Sequence, residues 1–180
     1  LNVIHEDALS FDFASLKKKR EIRLIGNLPY HISTPLLFHL LEFSAIFHDF
    51  HVMVQKEVAD RMVSNHNNKT YGRLSVAIQS RCTALKMLDI KPGAFHPKPK
   101  VLSSIVKLEP KQPLEEKVRS NLDEIIKMAF NQRRKKIRNS LNELFTPEKI
   151  IESGIDPNAR AENLSVNDYI RLSEIVRSTE

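Results

Sequence analysis

Apolar and polar positions divide the chain into an alternating first part and a helical second part. In the first part, short runs rich in β-branched and aromatic residues predict strands, separated by segments of helical spacing. Strands that alternate with helices indicate an α/β sheet with crossover connections. The four predicted strands are Leu1–His5, Ile22–Ile25, Phe50–Gln55 and Ser104–Leu108.

Three helices are predicted among these strands. Thr34 is the predicted N-cap of the first helix, with Pro35 at the first helical position and four leucines within the next six residues. Apolar residues at helical spacing predict two further helices, at Glu57–Val63 and Arg73–Ser80.

The pattern changes at the proline-bounded linker Pro110–Pro113, beyond which no strand is predicted. Ser165 and Asp168 form a predicted capping box before the last helix. We therefore predict two domains, an α/β part at residues 1–110 and a small all-helical domain at residues 111–180. The four helices predicted in the second domain are Glu115–Phe130, Arg133–Leu144, Pro147–Ser153 and Val166–Val176.

Composition narrows the choice of partners and location. The 180 residues are 41% hydrophobic, enough for a folded core, and carry a net charge of +6. A basic excess of this size favours a polyanionic partner, either nucleic acid or an acidic membrane face. Cys82 is the only cysteine, so no intrachain disulfide can form, and no apolar run approaches the roughly 20 residues that span a bilayer. We therefore expect a cytoplasmic location.

One motif, Gly26-Asn27-Leu28-Pro29-Tyr30, directly follows the second predicted strand. Ligands of open α/β sheets bind beyond the carboxyl ends of strands. One candidate ligand for this position is adenine. Its exocyclic amine is a poor nucleophile because the lone pair is delocalised into the ring. Two acceptors, the Asn27 side-chain oxygen and the Leu28 carbonyl, would favour a pyramidal nitrogen, while the ring face of Tyr30 would stack on the base. The alternative is an ordinary turn, since Asn-X-Pro sequences are common in turns.

Two later segments favour a nucleic-acid site. Residues 95–103 form a stiff, basic segment in which Phe95 would cover the second face of an extruded base; the alternative is a connector with Phe95 in the core. At helical spacing, Ile137, Leu141 and Leu144 would be buried, and the neighbouring cations would face outward to contact phosphates. The alternative is a helix face that is merely solvated. These cations are Arg133, Arg134, Lys135, Lys136 and Arg138.

Six groups of motifs occur together in one order along the chain. They are Gly-Asn-Leu-Pro-Tyr at 26–30 with Ser-Thr-Pro at 33–35, Gln-Lys-Glu-Val at 55–58, Tyr-Gly-Arg-Leu-Ser at 71–75, Phe-x-Pro-x-Pro-Lys-Val-x-Ser at 95–103, Phe-Asn-Gln-Arg-Arg-Lys-x-Ile-Arg-Asn-Ser-Leu at 130–141, and Arg-Ala-Glu-Asn-Leu-Ser at 160–165. With these motifs the chain resembles the bacterial small-subunit rRNA adenine dimethyltransferases of the KsgA type, over essentially its whole length.

The resemblance implies part of a Rossmann-like class I methyltransferase sheet followed by a small helical, rRNA-binding domain. It implies transfer of methyl groups from S-adenosylmethionine to two adjacent adenines near the 3′ end of small-subunit rRNA, in ribosome maturation. The expected partner is the small ribosomal subunit, with neither a membrane nor a metal. The implied catalytic residues are Asn27, Leu28, Tyr30 and Phe95, and the implied donor-binding residues are Asp7 and Asn27.

The chain departs from this family in its donor site. Its four glycines form no Gly-x-Gly pattern, and the acid expected for the donor ribose has no match. Because the sequence begins at Leu1, we expect a piece of a longer protein that binds the donor weakly and is inactive alone. We expect the strand at Leu1–His5 to correspond to the family's fourth strand and to leave an unpaired edge. Association through that edge is possible, and the oligomeric state stays open.

Parts of the sequence are also compatible with other functions. A non-catalytic rRNA-binding or ribosome-assembly factor fits the basic segment equally well, and a DNA adenine methyltransferase fits Asn-Leu-Pro-Tyr. The arginine-rich helical domain favours the rRNA enzyme. His48 and His51 lie three positions apart, but no cysteine or acidic cluster completes a metal site.

Overall fold

The structure is a computed structural model that describes residues 1–16 and 22–176. These residues form two compact units. Unit 1 consists of Leu1–Asp60 and Arg81–Gln112, and unit 2 consists of Arg61–Ser80 and the residues from Pro113 onward. Residues 61–80 thus group with the later helices, although they precede the last two strands. The functional boundary after residue 110 stays a prediction.

Unit 1 is built on a four-stranded sheet. The strands are β1 at Ile22–Asn27, β2 at Phe47–Gln55, β3 at Cys82–Ile90 and β4 at Ser103–Pro110. Their order in the sheet is β1-β2-β4-β3. β1 runs parallel to β2, whereas β4 is antiparallel to both β2 and β3. Three of the predicted strands are confirmed as β1, β2 and β4.

The two inner strands form the core of the sheet. Val52 and Val54 of β2 and Val106 of β4 are wholly buried. Branched side chains of this kind pack well on a pleated surface, and their burial is the main favourable contribution to folding. Cys82 of β3 is buried as well, and burial raises the pKa of its thiol to about 12.

Two helices follow the ends of the parallel strands. α1 spans Ser33–Glu42 and buries its leucines, and α2 spans Lys56–Met62 directly after β2. The predicted N-cap is wrong, because α1 begins at Ser33 and its N-cap is Ile32. The backbone N–H of Leu36 already donates to the Ile32 carbonyl at 2.9 Å, which places Thr34 inside the first turn.

Helices dominate unit 2. Two of them, α4 (Glu116–Asn131) and α7 (Val166–Ile175), contact each other. The Asn121 side chain donates to the Ser173 carbonyl at 2.9 Å, and the ring centres of Phe130 and Tyr169 are 5.8 Å apart. The capping box of Ser165 is confirmed, since its hydroxyl accepts from the backbone N–H of residue 168. The helices are α3 at Arg73–Arg81, α4 at Glu116–Asn131, α5 at Ile137–Ser140, α6 at Pro147–Glu152 and α7 at Val166–Ile175.

The predicted strand at Leu1–His5 is wrong. The structure shows no regular element there, and the side chains of Leu1, Val3 and Ile4 are exposed. Strand propensity alone does not hold a strand that has no paired neighbour. Among the described residues, the sheet begins instead at β1, which pairs with β2 alone. The expectation of an edge at residues 1–5 is therefore also wrong.

Two further differences concern local propensity. β3 was not predicted, and most of its length is exposed; it forms by pairing with β4. The predicted helix at Arg133–Leu144 is wrong, because residues 132–135 make a turn and bend and Lys136 forms an isolated bridge with Arg160. Only α5, a single helical turn, exists within that range. The backbone N–H of Ile137 donates to the Ala159 carbonyl at 2.7 Å, so a tertiary contact replaces the helix there.

The part of the chain that is described contains no helix both long and apolar enough to cross a membrane. Within the same residues, no three histidine, cysteine or acidic side chains come together as metal ligands.

A buried carboxylate lies near the start of β2. Asp49 is 1% exposed and accepts two hydrogen bonds from Arg23, at 2.7 and 2.9 Å. His48 and His51 also face it, with ring nitrogens at 3.2 and 3.5 Å. The hydrogen bond from Arg23 holds the pKa of Asp49 below its ordinary value. This ion pair joins β1 to β2, because Arg23 and Asp49 are paired positions of the two strands.

We expect this carboxylate to make stability depend on acid pH. Because the folded-state pKa of Asp49 is lowered, its contribution is full above the ordinary carboxyl pKa and is lost as the pH falls through the folded value. Asp49→Asn should therefore be less stable at pH 7 and lose less stability on acidification, measured by urea unfolding from pH 7 to pH 3. Glu143→Gln, at an exposed site, is the control. Equal acid sensitivity of Asp49→Asn and the parent would contradict this account.

Candidate functional site

Unit 1 contains an open cleft of about 280 Å³ at the carboxyl end of β1. The structure brings together here four predicted site residues, three from the turn at residues 27–30 and Phe95 from a segment far away in sequence. The cleft is lined by Asn27, Leu28, Pro29, Tyr30, Phe95, Pro97 and Pro99. The lining comes from two separate segments, the turn after β1 and the loop between β3 and β4.

The turn after β1 is fixed by its neighbour strand. β1 ends at Asn27, whose side chain is exposed, and the next N–H, that of Leu28, donates to the Met53 carbonyl at 3.0 Å. The Leu28 side chain is buried. A Cβ at Gly26 would lie 3.3 Å from the Leu28 side chain, so the glycine leaves room for that packing.

Backbone carbonyls of the turn differ in what they bind. The Pro29 carbonyl accepts from the Ile32 N–H at 3.1 Å, and the Tyr30 carbonyl accepts from the Ser33 hydroxyl at 3.1 Å. Among the described residues, no donor is recorded at the Leu28 carbonyl. The turn therefore offers two acceptors near each other in sequence, the Asn27 amide oxygen and the Leu28 carbonyl.

The loop that carries Phe95 connects two antiparallel strands. Ile90 at the end of β3 is the register partner of Ser103 at the start of β4, so the two ends of the loop lie side by side. Phe95 follows a single 3-10 turn at Pro92–Ala94 and is half-buried. Pairing of the strands thus returns this loop to the cleft.

Tyr30 is held by the strand that follows the loop. Its hydroxyl lies 2.5 Å from the hydroxyl of Ser103, which is completely buried. The backbone on either side of this point is also fixed, because the Lys56 N–H donates to the Leu102 carbonyl at 2.9 Å. The sequence motif ending in Ser103 was identified, but the contact with Tyr30 had no sequence signal because 73 residues separate the two.

A chain of charged groups joins α2 to β3 and β4. Asp60 pairs with Lys56 and with Lys86, the latter at 2.9 Å. Burial acts to raise the pKa of Asp60, but these two lysines hold it below its ordinary value. Asp89 accepts from the Ser104 hydroxyl at 2.6 Å, and this bond lowers the pKa of Asp89. These contacts brace both strands at the base of the Phe95 loop.

Asp7 lies outside this cleft. One of its carboxylate oxygens accepts from the Leu9 N–H at 2.9 Å, and its carbonyl accepts from the Ser10 N–H at 3.0 Å, which closes a short turn. A separate apolar pocket of about 190 Å³ is lined by the nearby residues Ile4, Glu6, Ala8, Phe11 and Phe13.

The five predicted RNA-binding cations lie in unit 2, where they take different roles. Arg133 donates to Glu162 at 2.8 Å and to the Lys69 carbonyl at 2.6 Å, so its side chain joins three segments. Asn67, with a φ of 64°, adds a hydrogen bond from its N–H to the Glu162 carbonyl at 2.7 Å. Lys136 donates to the Asn158 side chain at 3.1 Å.

The remaining three cations are exposed, and no partner for their side chains is recorded among the described residues. They are Arg134, Lys135 and Arg138. Arg134 and Lys135 line a pocket of about 360 Å³ with Asn131, Gln132 and Arg133. The expected burial of Ile137 and Leu141 is confirmed, whereas the expected burial of Leu144 is wrong, because that side chain is only half-buried.

Comparison with known proteins decides which family has this arrangement. The family described as ribosomal RNA adenine dimethylase matches residues 1–178. The chain belongs to this family. The resemblance and the α/β methyltransferase fold predicted from the sequence are therefore confirmed.

Individual members of the dimethylase family agree with this assignment. Ribosomal RNA small subunit methyltransferase A of Idiomarina loihiensis is 48% identical over 97% of this chain and 61% of the relative. The protein of that name from Photorhabdus laumondii is 46% identical over 96% of this chain and 65% of the relative. The chain thus spans less than two thirds of the length of these relatives.

A solved structure extends the likeness to the fold of this dimethylase. The crystal structure of a dimethyladenosine transferase from Plasmodium falciparum is similar, with a TM-score of 0.79 and 28% identity. The match covers 94% of this chain and 70% of that one.

The contacts of Arg133 and Arg134 predict different effects on the stability of unit 2. Arg133→Met should lower the free energy of unfolding by about 1–2 kcal/mol, because it removes a partly exposed ion pair and a charged hydrogen bond to a carbonyl. Arg134→Met should change it by less than about 0.5 kcal/mol, as at an ordinary surface site. Chemical denaturation of both variants checks this, and equal effects would contradict the distinction.

Proposed function

We propose that this chain carries the target-base and rRNA-binding parts of an enzyme that dimethylates two adjacent adenines near the 3′ end of 16S rRNA. S-adenosylmethionine would be the methyl donor, and the reaction would belong to ribosome maturation in the cytoplasm. The observation that carries the proposal is the convergence of Asn27, Tyr30 and Phe95 on one cleft beyond the carboxyl end of β1. The names of the relatives, small subunit methyltransferase A, support the choice of RNA.

The polar side of the cleft acts on the amine. The Asn27 oxygen and the Leu28 carbonyl accept the two hydrogens of the exocyclic amine and favour a pyramidal nitrogen with a localised lone pair. The bond from the Leu28 N–H to Met53 fixes the backbone that carries this carbonyl. Preorganised acceptors of this kind act without reorganisation when charge develops on the nitrogen.

The aromatic side of the cleft holds the base. A base that reacts at an exocyclic atom must leave its stack, and stacking on protein aromatics offsets part of that loss. Tyr30 and Phe95 come from separate segments, so they can bind opposite faces of one adenine. Each such contact contributes about 1–3 kcal/mol.

The described residues fit only one end of the methyl donor. Asp7 uses one carboxylate oxygen in its own turn, which leaves the other for an adenine amine, and the adjacent apolar pocket of about 190 Å³ suits a purine ring. The donor supplies the methyl group when bound. The four glycines form no Gly-x-Gly turn, and we infer that these residues do not hold the methionine end.

Unit 2 supplies phosphate contacts. Arg134, Lys135 and Arg138 have exposed cationic ends suited to backbone phosphates. Arg133 contributes instead by holding the shape of the turn through Glu162. This division of roles refines the sequence prediction that all five cations face RNA.

Asn27→Ala tests the proposed chemistry in the protein as its gene encodes it. Methyl transfer to small-subunit rRNA should fall about 100-fold or more, as for other losses of one preorganised polar group. Binding of rRNA should stay unchanged, because phosphate contacts supply most of the affinity. Radiolabelled methyl incorporation and filter binding give the two values.

The control is Asn142→Ala, which removes an exposed asparagine of unit 2. Normal turnover by Asn27→Ala would remove the assigned role. If the protein without any substitution binds rRNA and never methylates it, then its function is that of a non-catalytic assembly factor. Preferential methylation of DNA would instead identify a DNA methyltransferase.

A matched pair of charge reversals tests the phosphate contacts. Lys135→Glu should make the plot of log affinity against log salt shallower by about 1, since one phosphate contact is lost. Lys127→Glu makes the same charge change at an exposed position of α4 and should alter the slope less. Equal slopes for the two variants would show that the salt dependence of binding reflects the overall charge of the protein and not a phosphate contact of Lys135.

A further inference from the structure

We propose that Ser103 is a positioning residue that orients the Tyr30 ring as one wall of the base cleft. The proposal rests on the function proposed above and adds a residue outside the cleft lining. Ser103 would act through the phenol of Tyr30, without touching the base itself.

The geometry around Ser103 is unusually well fixed. Ser103 is the first residue of β4 and is completely buried. It pairs with Gln55 of β2 on one side and with Ile90 of β3 on the other. Its hydroxyl therefore projects from backbone held by two neighbouring strands, and it lies 2.5 Å from the Tyr30 hydroxyl.

Tyr30 is consequently anchored at both ends. Its carbonyl accepts from the Ser33 hydroxyl at the start of α1, and its phenol contacts Ser103. A tyrosine ring has two side-chain torsions, so fixing the backbone and the phenol oxygen leaves little freedom for the ring. A stacking surface that is already oriented loses less entropy when the base binds.

Ser103 also lies at the base of the loop that carries Phe95, the opposite aromatic wall of the cleft. The loop with Phe95 enters β4 at Ser103, and residue 103 is the partner of Ile90 where that loop leaves β3. The contact between Tyr30 and Ser103 thus ties one aromatic wall to the base of the loop that carries the other. We infer that it sets the spacing into which a base fits.

This role changes the expectation for the Tyr30 hydroxyl. The sequence predicts that only the ring face of Tyr30 contributes to binding the base. Tyr30→Phe keeps that face, so on this prediction it would lower methyl transfer only mildly. In the structure, Tyr30→Phe would leave the buried Ser103 hydroxyl without this partner, and a buried polar group without a partner is unfavourable.

Ser104 provides a matched control. It is also a wholly buried serine of β4, but its hydroxyl donates to Asp89 and not to Tyr30. Ser104→Ala therefore removes the same atoms one residue away and spares the Tyr30 contact. A general effect of weakening β4 would appear in both variants.

The first experiment needs no enzyme activity. The chain has three tyrosines, and Tyr71 and Tyr169 are buried in unit 2. With 3-fluorotyrosine incorporated, the 19F resonance of Tyr30 is the one lost in Tyr30→Phe. Ser103→Ala should shift and narrow that resonance alone, whereas Ser104→Ala should leave it in place. An unmoved Tyr30 resonance in Ser103→Ala would overturn the proposal.

The second experiment measures methyl transfer by the protein as its gene encodes it. Ser103→Ala should lower kcat about 3- to 10-fold, as expected for one hydrogen bond, with the KM for rRNA unchanged. Ser103→Thr keeps the hydroxyl and should restore much of kcat. Normal kcat in Ser103→Ala, or an equal loss in Ser104→Ala, would overturn the positioning role while leaving the proposed function intact. If the unmodified protein never methylates RNA, the proposed function fails, and the 19F result still decides whether Ser103 orients Tyr30.

Discussion

The site depends on the antiparallel pairing of β4 with β2 and β3. This pairing sets Ser103 opposite both Gln55 and Ile90, and so brings the ends of three strands to one point. The Phe95 loop must then leave and return beside the turn that follows β1. Without β4 in this register, Asn27 of the turn and Phe95 of the loop would not line the same cleft.

Side-chain bonds reinforce this register where the loop begins and ends. The Ser104–Asp89 bond joins β4 to β3, and the ion pair between Asp60 and Lys86 connects α2 with β3. The Tyr30–Ser103 contact lies in the same region. In unit 2, Arg133 has a comparable function, since its ion pair and its bond to a carbonyl hold the turn that presents Arg134 and Lys135. The Tyr30–Ser103 contact in unit 1 and the Arg133 contacts in unit 2 position the groups that we propose to meet RNA.

Sequence patterns predicted the buried part of this fold better than its exposed part. β2 and β4 combine β-branched residues with buried positions. β1 has only half-buried and exposed positions, and its sequence indicated a strand through Ile22 and Ile25 before Gly26. β3 is largely exposed, so its apolar positions gave no clear alternation, and its pairing with β4 is a long-range effect that one segment cannot reveal. Leu1–His5 showed the reverse, a strand-like composition that pairs with no strand of the described residues.

For the candidate site, motif chemistry identified Asn27, Leu28, Tyr30 and Phe95, which the structure places in one cleft. It could not identify the Tyr30–Ser103 contact, because that pairing depends on the sheet and not on local sequence. It also treated Arg133 as a phosphate contact, since a cation's sequence position does not show whether a distant carboxylate such as Glu162 will bind it.

The central claim is that one adenine lies between Tyr30 and Phe95, with its amine at Asn27. Photocrosslinking tests this most directly, with 8-azidoadenosine placed at the two adjacent adenines of small-subunit rRNA and the adducts mapped by mass spectrometry. We expect adducts on the turn at residues 27–30 and on the loop at residues 95–99. Adducts confined to unit 2, with none on these two segments, would contradict the account.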